Sequence, residues 1–176
     1  MTVKILDNCC SPAYLDFLKL VATTSDNWNL QYPMGEEIPF EEKFLKLDII
    51  NHGIRNPYLA GLAMGLLLQI HEAGGQDLFI PDLYFCGISI KDKHTIDNMH
   101  TDWGKKDNCV KILGIINSDW KEEWGGGFIH NGTHNYIKPT SFCIFEPSEP
   151  HSNDLILTDK KRLAIDFTVE RGEGIL

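Results

Sequence analysis

The chain has 176 residues, 43% apolar and 23% charged, with a formal net charge of −9. That length and composition fit a single domain with one core. The acidic balance excludes an electrostatic nucleic-acid footprint, since no basic cluster exceeds the "DKKR" at 159–162. Five cysteines, Cys9, Cys10, Cys86, Cys109 and Cys143, make an odd set with no CxxC pair. They read as thiols of a reducing compartment, several of them small buried hydrophobes, rather than a disulfide framework. The first residues, "MTVKILDNCCSPAY", lack the apolar run and cleavage site of a secretory signal. The longest apolar stretch, "LAGLAMGLLLQI" at 59–70, is too short to span a bilayer. The expectation is a cytoplasmic protein without a membrane partner.

In chain order, Ser11-Pro12 supplies an N-cap and a first-turn proline that open a helix over "AYLDFLKLVA". "NWNLQYPM" at 27–34 predicts a short strand closed by Pro33. The acidic segment 36–48 predicts loop with some helix. Asn56-Pro57 opens a second helix that Gly74-Gly75 ends. It is apolar on most sides, so it should pack under a sheet.

From about residue 78 the texture changes to short apolar runs between turn signals. These are "LFIPDLYFCGISI", "MHTDW", "CVKILGIIN", "GGFIHN", "YIKP", "SFCIFEP", "NDLILT" and "RLAIDFTVE". Strands at this spacing predict a sandwich or barrel. The expected fold class is α+β but mainly β: one domain over 1–176, with helices and a strand from 1–77 supporting a double-layered barrel core over 78–176. In the last strand Leu163, Ile165, Phe167 and Val169 share an apolar face. Arg162, Ala164, Asp166 and Thr168 share the other, which faces either water or a polar cavity.

"HTD" at 100–102 puts His100 and Asp102 on one face of a strand. Alone, that is a hydrogen-bonded pair or part of a metal site. His151, in "PHS", is a candidate third ligand. Two histidines and a carboxylate on one face of an ion leave three positions open, the usual arrangement around non-haem Fe(II) in oxygenases. Arg162 begins the next strand after the turn "TDKK", so His151 and Arg162 are expected on neighbouring antiparallel strands. Arginine there can clamp a carboxylate bidentately. His130 and His134, in "HNGTH", have helical metal-ligand spacing, but Asn131-Gly132 signals a hairpin turn, so both are read as loop residues. Gly125-Gly126-Gly127 lacks the Lys-Ser/Thr of a phosphate loop and reads as an entry to a strand.

From about 84 to 170 the chain resembles the Fe(II)/2-oxoglutarate-dependent oxygenase superfamily, most of all its prolyl 4-hydroxylase-like (prolyl hydroxylase domain) branch in single-domain form, as in bacteria and viruses. "HTD", "INSDWKEEWGGGF" at 116–128, "PHS" at 150–152 and "RLAIDF" at 162–167 carry the likeness, in that order. It implies a double-stranded β-helix (jelly-roll, cupin-like), iron held by His100, Asp102 and His151, and 2-oxoglutarate held by Arg162. It further implies a dioxygenase that uses O2, with ascorbate as a family reductant. The product would be a hydroxylated C–H, a peptidyl proline first of all, with succinate and CO2 as co-products. Alternatives are a free amino acid or other small molecule as substrate and, from other classes, a zinc hydrolase or a non-catalytic binding barrel. The family's pocket tyrosines are replaced, Ile115 and Ile90 standing where they are expected, and Thr168 stands in place of a tryptophan. Tyr84 and Lys111 are candidate substitutes. Leu113, Ile115, Ile129, Asp166, Thr168 and Trp103 are further candidates to line or support the pocket.

Overall fold

The computed structural model of the chain describes residues 3–31, 44–102 and 108–173. In order, the elements are β1 (Lys4–Leu6), α1 (Pro12–Thr23), β2 (Asn29–Gln31), β3 (Phe44–Asn51), α2 (Pro57–Ile70), β4 (Phe79–Lys91), β5 (Cys109–Ile115), β6 (Phe128–His130), β7 (Thr133–Asn135), β8 (Phe142–Phe145), β9 (His151–Asn153) and β10 (Arg162–Arg171). A large antiparallel sheet runs β1-β8-β5-β10-β4-β3-β2, and a small one runs β7-β6-β9. A bridge between His100 and His151 adds a rung beside β9. From β4 to β10 the chain passes back and forth between the two sheets, which is the path of a jelly roll. The expected mainly β, double-stranded β-helix with two helices is therefore what forms.

Both helices start where the sequence places them. Ser11 Oγ accepts from Tyr14 N at 3.2 Å, and Asn56 Oδ1 accepts from Leu59 N at 3.1 Å. α2 passes into a single π turn at His71–Gly75, with Gly74 at φ 129°. Its buried Leu59, Ala63, Leu66, Leu67 and Ile70 share one core with Leu15 and Leu18 of α1 and with Leu47, Ile88 and Ile112 of the large sheet. Leu163, Ile165, Phe167 and Val169 of β10 are buried in the same core. Each such side chain stabilises the fold by roughly 1.5–3 kcal/mol. The opposite face of β10 lines a cavity between the sheets, which decides the alternative that periodicity leaves open.

Four expectations are corrected. Residues 44–48 are strand rather than loop with helix, because Leu45, Leu47 and Ile49 alternate with Lys46 and Asp48 and pair with β4. The rest of that segment, and the expected strand beyond Gln31, lie outside the described residues. Residues 1–77 give three strands to the large sheet rather than one. "YIKP" is not a strand, and "NDLILT" is not one beyond Asn153. His151 and Arg162 do not lie on paired strands: β9 pairs with β6, whereas β10 pairs with β4 and β5. The intervening chain stays against residues 124–127 before crossing, through Asp154 N to Gly127 O (2.8 Å), Gly126 N to Leu155 O (2.9 Å) and Leu157 N to Trp124 O (2.8 Å). The "HNGTH" hairpin forms as expected, with Asn131 and Gly132 at φ 47° and 76°. Among the described residues, no helix is long and apolar enough to cross a membrane.

Candidate metal centre

His100 and His151 are fixed first by backbone. His100 N donates to His151 O at 2.9 Å, and His151 N donates back to His100 O at 2.8 Å. Asp102, two residues on, is tied by its N to Pro147 O at 2.9 Å. The ring nitrogens are then assigned by their partners. His100 Nδ1 lies 2.7 Å from Asn98 O and His151 Nδ1 lies 2.8 Å from Glu149 O. A carbonyl only accepts, so both Nδ1 atoms carry the hydrogen and both Nε2 lone pairs are free to coordinate. His100 Nε2 stands 3.6 Å from Asp102 Oδ1, and His151 Nε2 stands 3.3 Å from Asp102 Oδ2. Ligand atoms about 2.1 Å from one ion and at right angles to each other would be about 3.0 Å apart. The three donors lie within 4.8 Å of one another, so one ion could be shared by all three once the side chains draw in around it.

Asp102 is held as a carboxylate. Burial alone would raise its pKa, but the Lys111 ammonium beside it outweighs that and keeps it well below the usual carboxyl range. Lys111 Nζ lies 2.7 Å from Asp102 Oδ2 and 2.9 Å from Asp166 Oδ2. Burial works to lower the Lys111 pKa, and the two carboxylates more than reverse it.

The triad opens into a cavity of about 330 Å3 that also contains Arg162. Arg162 is only 2% exposed, and its Nε and Nη2 have no hydrogen-bond partner among the described residues. Burial pushes its pKa down to about 10, partly countered by the nearby charge of Asp97, so it remains a cation at neutral pH. Asn117 brackets it: Leu163 N donates to Asn117 Oδ1 at 2.6 Å, and Asn117 Nδ2 donates to Lys161 O at 3.2 Å. Gly126, at φ +73°, lies so close that a Cβ there would stand 2.8 Å from Arg162 Cδ. The Gly-Gly segment therefore lets backbone pack against the arginine stem.

The structure brings His100, Asp102, His151, Arg162, Lys111, Leu113, Asp166 and Thr168 to this one cavity. Asp166 pairs with Lys111. Ile115 does not line the cavity; it packs with Trp120 and Ile156 in the wall behind. Ile129 alternates with the inward-facing Phe128 and His130 on β6 and points away. Tyr84 is exposed and outside the lining. Ile90 packs against the core, so Ser89 and Lys91 are the residues of β4 that occupy the pocket face there. Trp103 lies outside the described residues. His130, opposite His151 in register, pairs with Glu149 at 2.8 Å, and His134 pairs with Asp154 at 3.1 Å, so neither joins the triad. Sequence reasoning missed Lys46, Phe85, Lys91 and Asp97, all in the lining. Three of these had a readable signal. Phe85, Gly87, Ser89 and Lys91 alternate with Cys86, Ile88 and Ile90 along β4, and Lys46 sits between Leu45 and Leu47. Asp97 had none: it lies in a loop and acts by pairing with Lys91 at 2.8 Å while accepting from Asn153 N at 3.0 Å.

No protein-family model and no curated protein matches the sequence. Solved structures do match. A prolyl-4-hydroxylase of Pseudomonas putida is similar at 15% identity, over 96% of this chain and 92% of that one, with a TM-score of 0.71. A prolyl hydroxylase of Trichoplax adhaerens, in complex with a hypoxia inducible factor peptide fragment, is similar at 15% identity over 96% and 83%, with a TM-score of 0.63. HygX of Streptomyces hygroscopicus, with nickel and 2-oxoglutarate bound, is similar at 10% identity over 99% and 84%, with a TM-score of 0.67. At such identities the likeness is one of architecture, and the chain has the double-stranded β-helix fold of the Fe(II)/2-oxoglutarate oxygenases.

Proposed function

We propose that the protein is an Fe(II)- and 2-oxoglutarate-dependent dioxygenase that hydroxylates a C–H bond. The observation that carries this reading is Arg162, a buried guanidinium with unpartnered N–H groups in the same cavity as two histidines and a carboxylate. A metal triad alone fits several chemistries; a triad beside an unsatisfied cation fits a carboxylate-bearing co-substrate as well. His100 Nε2, His151 Nε2 and one oxygen of Asp102 would hold the ion, and Arg162 would take the distal carboxylate of 2-oxoglutarate through two parallel N–H bonds. When bound, Fe(II) with 2-oxoglutarate supplies O2 activation coupled to oxidative decarboxylation, giving succinate and CO2. The protein's own residues do the remaining work. Lys111 steadies Asp102, Phe128 and Phe145 make a dry wall beside His151, and Leu113 and Thr168 bound the floor. A zinc hydrolase would need a free general base. The other carboxylates lining the cavity, Asp97 and Asp166, are each ion-paired to a lysine.

For the substrate we propose a peptidyl proline or a compound like it. The order of "HTD", the Asn-x-Asp-Trp…Gly-Gly segment, "PHS" and "RLAI" supports this, as does the presence of prolyl hydroxylases among the similar structures. The test of the class is anaerobic addition of Fe(II) and 2-oxoglutarate, followed by air. A visible charge-transfer absorption and then succinate are expected. Asp102→Ala should weaken Mn(II) binding at least about 100-fold, removing one of three ligands. No absorption change and no succinate would refute the class. The proline assignment is tested separately, by the mass gain of one oxygen atom across a library of proline-containing peptides.

A further inference from the structure

Of the charged side chains that line the cavity, four are cationic (Lys46, Lys91, Lys111 and Arg162) and three are carboxylates (Asp97, Asp102 and Asp166). Lys91 is matched by Asp97, and Lys111 by Asp102 and Asp166. Arg162 is the expected seat of a co-substrate carboxylate. An Fe(II) ion and a 2-oxoglutarate dianion would cancel each other, so filling the site leaves the surplus positive charge in place. That surplus sits on Lys46, which has no carboxylate partner among the described residues.

Lys46 is half-buried on β3 and held in a specific place. Its Nζ lies 4.5 Å from the centre of the Phe85 ring. Both side chains fold over Gly87, where an added Cβ would stand 2.9 Å from Phe85 Cζ and 3.3 Å from Lys46 Cε. A glycine at that point makes a recess, and the recess is occupied by an aromatic face with an ammonium on it. In register, Lys46 is opposite Ser89 of β4, and Ser89 is opposite Ala164 of β10. Two strand spacings, about 10 Å, thus separate its backbone from the strand that carries Arg162. The two cations define two positions in one cavity, one for each of two anionic groups. The cavity's 330 Å3 is at the low end for ligand sites.

We propose that Lys46 reads a carboxylate on the primary substrate and that Phe85 packs against the carbon skeleton beside it. The substrate class is then a carboxylate-bearing one: a free amino or imino acid presenting its α-carboxylate, or a peptide with an acidic residue flanking the hydroxylated position. This rests on the oxygenase reading and narrows it, because a neutral proline peptide leaves the Lys46 ammonium uncompensated in a partly desolvated recess.

The experiment compares substrate-stimulated succinate formation by the Fe(II)-loaded protein and by Lys46→Met and Lys46→Glu. The probes are free L-proline and its amide, and a proline peptide with aspartate beside the proline and its asparagine counterpart. Wild type should prefer the acid over its amide or asparagine partner by at least about 10-fold in kcat/KM, as a charge-assisted contact implies. The arm that shows the preference identifies the source of the carboxylate. Lys46→Met should remove the preference through KM for the substrate, and Lys46→Glu should reverse it. Equal stimulation by acid and amide, a preference that survives Lys46→Met, or no stimulation by any carboxylate-bearing probe would overturn the inference. The oxygenase reading has its own readout in the same experiment, because substrate-independent conversion of 2-oxoglutarate to succinate tests it regardless of the Lys46 outcome.

Discussion

Arg162→Met gives the sharpest test, because two effects are expected to move in opposite directions. The guanidinium is buried, two of its nitrogens are unpartnered, and burial has pushed its pKa from 12.5 to about 10. That fall corresponds to a cost of holding the charge on the order of 3 kcal/mol. Water in the open part of the cavity offsets some of it. Replacing a buried, unpaired charge with an apolar side chain of similar length should then stabilise the ligand-free protein by about 1–3 kcal/mol. For a chain of this size, that is about 2–10 °C in Tm. The same substitution removes the only cation proposed to bind the distal carboxylate of 2-oxoglutarate. Thermal melts of the Mn(II)-loaded proteins, with and without 2-oxoglutarate, read both effects. Wild type should start lower and rise with ligand; the variant should start higher and not respond. A variant that starts lower, or that still rises with 2-oxoglutarate, would show that Arg162 is a structural charge whose partner lies elsewhere.

Gly126→Ala places a Cβ at φ +73° and 2.8 Å from Arg162 Cδ. It should cost about 1–3 kcal/mol of stability and displace the guanidinium, seen as a several-fold weaker 2-oxoglutarate titration. Asp97→Asn breaks the buried pair with Lys91 and should cost about 2–4 kcal/mol at pH 7 in urea unfolding. Burial works to raise the Asp97 pKa, but Lys91 and Asn153 outweigh it and hold it below its unfolded value. Its stabilisation is therefore present above about pH 4 and lost as the pH falls through the folded value. The wild-type advantage should shrink in acid, and a pH-independent difference would contradict the pairing. Burial pushes the thiols of Cys9 and Cys143 up to about 11 and about 12. Iodoacetamide at pH 8 should leave both unmodified in the folded protein and label them in urea; labelling of folded Cys143 would contradict its burial.

The candidate ligands and the candidate anchor are legible in the sequence because each is marked by local chemistry. HxD sets two candidate ligands two residues apart, although His100 makes only a single bridge and residues 101–102 are not the expected strand, and the arginine heads a strand whose alternation is unbroken from Arg162 to Val169. The "INSDW" and Gly-Gly segments were legible as a likeness, but their physical work was not. Only the fold shows Asn117 bonding on both sides of Arg162 and Gly126 giving way to its stem. The pairing of His151's strand with Arg162's was misread because a short polar turn looks the same whether it joins paired strands or carries the chain from one sheet to the other. In β3 the density of charge masks the period-two pattern of Leu45, Leu47 and Ile49 that pairs with β4. Lys91 and Asp97 combine a strand end with a loop, a contact that no periodicity encodes.

The two histidines belong to the smaller of the two sheets, on a single bridge and a three-residue strand. Such short pairings open most readily in a folded protein. An ion held by His100, Asp102 and His151 would fasten the loop before β5 to β9, closing the same rung twice, once by backbone and once by coordination. Occupancy and local order are then one equilibrium. At an ion concentration 100 times Kd, the bound state gains about 2.7 kcal/mol against opening. Amide exchange at His100 and His151 should slow in step with metal loading, while β10, buried in the large sheet, should exchange at the same rate in both states.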